Sequence, residues 1–99
     1  SCCMICNTLR TRKEEISLLK VAVSTGNLDF FERAVTKYRY PLDVVDEIDG
    51  MNAMDYVYED IEYWLEFGIG STPVKENLKL FYIVKAFGAK FYKHKHLNN

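Results

Sequence analysis

Leu18-Leu19-Lys20-Val21-Ala22-Val23-Ser24-Thr25-Gly26-Asn27-Leu28-Asp29-Phe30-Phe31 is the stretch that decides the fold class of this 99-residue chain. Ile16, Leu19 and Val23, with Leu18 and Ala22, recur at three- and four-residue spacing, which lays them on one helix face. Gly26 suits the left-handed stop that ends a helix, and Asn27 can cap another at once, with Asp29 favourably placed at its positive end. Thr11 and Glu14 have capping-box spacing, so the first helix is expected from Arg12 to Thr25. The second carries Leu28, Phe31, Ala34, Val35 and Tyr38 on one side and ends at Tyr40-Pro41, because a residue before proline avoids helical geometry. Two helices joined by so short a turn are expected to lie antiparallel and pack on each other.

Leu42 to Gly50 is too polar and too short for a helix, and Asp49-Gly50 is a tight-turn dipeptide, so a few extended residues in a hairpin-like loop fit there. Asn52 can cap a third helix carrying Met54, Val57, Ile61, Trp64 and Leu65, interleaved with acids, up to the breakers Gly68 and Gly70. Ser71-Thr72-Pro73 reads as a cap with a first-turn proline opening a fourth helix, which Gly88 closes. Phe91 and Tyr92 are expected to dock briefly before the chain frays. The expected organisation is a cysteine-containing arm at 1–10, a helical domain at 11–92 and a basic tail at 93–99, in an all-α fold of about four helices plus a short extended loop.

At this point the chain resembles the ankyrin repeat family. The stretch from Leu18 to Phe31 is similar to the family's first helix, glycine-polar turn and second helix; Asp49-Gly50-Met51-Asn52-Ala53-Met54-Asp55 resembles its aspartate-glycine finger and next opening. Asn77-Leu78-Lys79-Leu80-Phe81 through Lys85-Ala86-Phe87-Gly88-Ala89 resembles a further second helix with its terminal glycine-alanine. The resemblance implies two degenerate repeats of stacked antiparallel helix pairs. Ala22 to Val57 spans 35 residues, against a family period of about 33. Ala22 to Asn27 spans five positions and Val57 to Asn77 twenty, so either a longer third helix or an inserted loop is required. Ser17 and Leu18 stand where the family has threonine and proline, and Asn52-Ala53-Met54-Asp55 replaces threonine-proline-leucine-histidine. Two repeats are fewer than the roughly three normally needed for stability, so fourteen aromatic residues, a homodimer or a standing partner is expected to compensate.

Apolar residues make up 48% of the chain and charged residues 27%, the balance of a single soluble globular domain. No apolar run reaches membrane-span length and the opening residues are too short for a signal peptide, so a cytoplasmic or nuclear location is expected. Cys2, Cys3 and Cys6 cluster in the first six positions and cannot staple the core; an odd count fits reduced thiols. Three readings stay open for them: an apolar cover for the first helix, lipid attachment with Arg10, Arg12 and Lys13 as the basic companion, or a thiolate metal site needing His94 and His96. No cysteine or serine in the core of the chain has a neighbouring histidine, and Gly68-Ile69-Gly70 lacks the rest of either common phosphate-binding fingerprint. The expectation is a non-enzyme with no cofactor and no catalytic residues.

The formal net charge of −1 hides a strong segregation. Residues 1–42 carry +3, residues 43–66 carry nine acids and no base, and residues 67–99 carry +5. Nine like charges repel one another unless cations lie close. Two readings follow: neighbouring layers neutralise the segment through Lys75, Lys79 and Lys85, or a basic protein partner docks on it. If the ankyrin resemblance holds, it implies binding through finger tips and first helices, and the matching positions are Glu47, Asp49, Met51, Asp55, Glu59 and Asp60. The expected function is a protein-protein interaction module, an adaptor or a competitive inhibitor of a cellular or host protein. The alternative is nucleic-acid binding through Lys85, Lys90, Phe91, Tyr92, Lys93, His94, Lys95 and His96, which mix cations with aromatics; it is disfavoured because so few lysines meet phosphates. Membrane binding is not expected unless the N-terminal cysteines carry lipid.

Overall fold

The computed structural model describes residues 12–98, so Thr11 and the three cysteines lie outside the described residues. Four helices form: α1 (Arg12–Thr25), α2 (Leu28–Thr36), α3 (Ala53–Leu65) and α4 (Thr72–Ala86), followed by a short 3-10 turn at Lys95–Asn98. The fold is all-α. Helix α1 packs against α2 and α3, while α4 packs against α3 and α2, so one helix pair lies on the other. Ile16 and Leu19 of α1, Phe31 and Val35 of α2, Val57 of α3 and Val84 of α4 fill the space between them. The molecule measures 45 × 27 × 25 Å.

The helix ends follow from the residues that sequence reading picked out. Gly26 takes φ +76°, and the turn it permits lets Asn27 N–H donate to the Ala22 carbonyl at 2.8 Å; Gly88 closes α4 in the same way, with Ala89 N–H donating to Val84. Asn27 caps α2 through Phe30 N–H. Ser71 precedes α4 as expected, with Pro73 in the first turn, but its hydroxyl caps nothing.

Helix α2 stops at Thr36, four residues before Tyr40. A wide closing turn unwinds it early: Tyr38 N–H donates to Arg33 and Tyr40 N–H to Ala34, with Arg39 at φ +56° between them. Tyr38, expected on the apolar face, is consequently exposed, and Tyr40 is the ring that is buried. The loop before α3 contains one antiparallel bridge, Asp46 to Met51, closed over Gly50. The extra length of the second helix pair goes largely into helix. Helix α3 ends at Leu65, eight residues beyond Val57, where α1 ends three beyond Ala22; α4 opens at Thr72, ahead of Asn77.

Residues 93–98, expected to fray as a basic tail, fold back onto α3. Phe91 is buried against Tyr58 with the rings edge-on at 5.4 Å. The Asn98 side chain accepts from Phe91 N–H and donates to Phe91 C=O, closing the last turn on itself. Among the described residues, no helix is long and apolar enough to cross a membrane.

Candidate functional site

Most of the acidic residues expected to meet a partner are already engaged within the molecule. Glu47, at the loop tip, pairs with Lys13 at 3.0 Å, both side chains remaining exposed. Asp49 pairs with Lys20 and also accepts from the Tyr56 hydroxyl at 3.1 Å. The hydrogen bond from Lys20 holds the Asp49 carboxyl below its ordinary value and raises the lysine in turn. Met51 is partly buried, bridged to Asp46, with its sulfur 4.0 Å from the Lys93 ammonium.

Asp55 is the clearest correction, because it is 0% exposed and offers nothing to a partner. It is the third residue of α3 and completes a capping box with Asn52, its Oδ2 accepting from Asn52 N–H at 3.0 Å. The same carboxylate accepts from the backbone N–H groups of Tyr92, Lys93 and His94 at 3.2, 2.9 and 3.2 Å. Asn52 adds a bond from Nδ2 to the Lys90 carbonyl at 2.7 Å. One helix N-terminus thus fastens the returning end of the chain. The local spacing gave the cap position but not donors 37 to 39 residues away.

Glu59, one turn further along α3, binds Lys93 at 3.1 Å and His94 Nε2 at 2.8 Å. Burial alone would raise its carboxyl; the hydrogen bonds from His94 and Lys93 outweigh that and hold it below the ordinary value. Among the described residues the lysines paired with the acidic segment are therefore Lys13, Lys20 and Lys93. Lys75, Lys79 and Lys85, expected in that role, do not fill it: Lys79 pairs with Glu32 of α2, and no ion pair joins the other two to it among the described residues. Of the basic-aromatic set near the end of the chain, Phe91, Lys93 and His94 are committed to α3, leaving Lys85, Lys90, Tyr92, Lys95 and His96 exposed.

The surface that sequence reading passed over lies at the far end of α3. Tyr63, Phe67 and Ile69 are 56%, 64% and 77% exposed, and Leu65 is exposed beside them. Tyr63, Trp64 and Phe67 form a ring cluster with centroids 5.1 to 5.7 Å apart. Asp60, Glu62 and Glu66 stand among these rings, and no cation pairs with them among the described residues. No lysine or arginine occurs between residues 43 and 74 to neutralise them. The signal was present in the sequence: Tyr63 falls off the buried stripe of α3, Phe67 lies beyond the helix next to Gly68, and Ile69 sits between two glycines where no helix can bury it. No family model, curated protein or solved structure matches this chain.

Proposed function

We propose that the chain is a protein-protein interaction module of ankyrin-like design, and that it docks a basic, amphipathic partner segment on the surface formed by the end of α3 and the link to α4. The observation that carries this reading is the exposed cluster of Tyr63, Phe67 and Ile69 set among Asp60, Glu62 and Glu66. Contiguous exposed apolar surface rimmed by polar groups marks interaction sites in globular proteins, and aromatic residues dominate the energetics of such interfaces. A partner burying Phe67 and Ile69 gains about 1.5–3 kcal/mol from each. Its own cations answer three carboxylates that no cation pairs with among the described residues. The docking face accordingly lies away from the loop that holds Glu47 and Asp49 and at the link between α3 and α4, with Asp60 common to both. Two stacked helix pairs, the Asp49-Gly50 turn and the glycine-closed helices are the features that support the ankyrin-like assignment.

The double substitution Phe67→Ser with Ile69→Ser tests the surface. Both side chains are exposed, so the melting temperature is expected to stay within a few degrees of the parent. Zero-length carboxyl-to-amine crosslinking of the parent is expected to join Glu62 or Glu66 to partner lysines, and the double variant to lose at least tenfold in partner affinity. Retained affinity in the double variant, with loss on deleting residues 93–98, would instead place binding on the basic end of the chain.

A further inference from the structure

The acidic-aromatic surface continues inward to a hollow of about 520 Å3 between the α1–α2 turn, the end of α3 and the start of α4. Tyr63 and Trp64 supply rings, Leu28 an apolar wall, and Asp60, Glu76 and Asn77 the polar groups; no lysine or arginine lines it. Asp60 is partly buried there, its carboxyl raised above the ordinary value by burial against hydrogen bonds from Asn77 and the Trp64 indole. Asn77 is 2% exposed. Its Nδ2 is spent on Asp60 Oδ2 at 2.7 Å and on the Pro73 carbonyl at 2.9 Å, which fixes the amide's orientation. Its Oδ1 is buried with no hydrogen-bond partner, an arrangement that costs stability unless a donor arrives.

These groups select one ligand chemistry. An anion would meet two carboxylates, and a neutral apolar group would leave Asp60 uncompensated. A hard divalent cation takes about six or more oxygen ligands, and no cluster of three metal-ligating side chains occurs among the described residues. A planar organic cation fits all of it. Its face packs on Tyr63 or Trp64 as a cation–π contact, its charge answers Asp60 and Glu76, and a remaining N–H is available to Asn77 Oδ1. We propose that this hollow is a receptor site for a guanidinium group, an arginine side chain presented by the partner. The proposal rests on the interaction reading above for the source of the arginine, but the pocket's chemistry can be measured without any partner.

Trp64 is the chain's single tryptophan and its indole hydrogen-bonds Asp60, so its one indole N–H resonance reports on the surroundings of that carboxyl. Titration with N-acetyl-arginine amide is expected to shift that resonance saturably. The isosteric, uncharged N-acetyl-citrulline amide should bind at least tenfold more weakly. Asp60→Asn, which keeps an oxygen acceptor while removing the charge, should weaken the arginine derivative at least tenfold. Glu76→Gln, at an exposed position, is expected to weaken it about threefold and serves if the first variant does not fold. Equal shifts from the citrulline derivative, no saturable response, or unchanged affinity in the variants would overturn the proposal. An arginine response accompanied by partner binding that ignores Phe67 and Ile69 would sink the docking surface and leave the pocket standing. Partner binding that needs those residues without any arginine response would do the reverse.

Discussion

Asp55 ties the start of α3 to residues 92–94 through a single carboxyl group. A carboxyl side chain with zero exposure is tolerated because four backbone N–H groups, from Asn52 and Tyr92 to His94, donate to it. Leaving a buried donor without its acceptor costs about 1–3 kcal/mol, though such costs do not add simply. Asp55→Ala is expected to cost about 3 kcal/mol or more in a urea titration, with amide exchange in residues 91–98 accelerating first. At this scale the sequence was only half legible. Asn52 and Asp55 sit three positions apart at a helix start, and that local signal marked the cap position; nothing local could pair Asp55 with residues from the other end of the chain. The exposed role expected of Asp55 failed for that reason.

Among the elements, the starts and stops of the helices were legible where one residue type decides them: Gly26, Asn27, Asn52, Pro73 and Gly88. The end of α2 was not, because no glycine marks it and Arg39 occupies the left-handed position instead. That conformation costs a non-glycine residue about 1–2 kcal/mol. The Arg39 guanidinium lies 5.0 Å from the centre of the Phe87 ring, a contact that offsets part of the cost. Arg39→Ala and Arg39→Gly both lose this contact, but only glycine takes φ +56° freely. The glycine variant should therefore be more stable than the alanine variant by about 1 kcal/mol, which thermal melting resolves as a gap of about 4–8 °C in a domain of this size. The exposed end of α3 was legible in principle, since Tyr63 breaks its apolar stripe and Phe67 follows its last turn next to a glycine, but a hydrophobic count alone assigns such residues to the core.

Over the whole molecule, the near-zero net charge is a cancellation achieved only in part by contact, with Glu47, Asp49 and Glu59 meeting Lys13, Lys20 and Lys93. The segregation was legible in the sequence; which cations answer it depended on tertiary placement. The pairing sets a pH dependence. Glu59 and Asp49 have lowered carboxyl values, so their contribution is present above the usual carboxylate range and is lost as pH falls through the folded values. Asp60 is raised, so it favours the fold at low pH and loses that contribution as pH rises through its folded value. Glu59→Gln is expected to flatten the acid limb of a stability-against-pH curve measured by thermal melting, whereas Asp60→Asn should leave stability at neutral pH equal or higher. The fastening of the chain end to Asp55 also orders events during synthesis. Asp55 emerges 37 residues ahead of its first distant donor, a delay of about 2–7 s at the usual elongation rate of ~5–20 residues per second. Through that interval the nascent α3 has Asn52 to hold its first turn but lacks the donors from residues 92–94, and its final burial waits on their emergence.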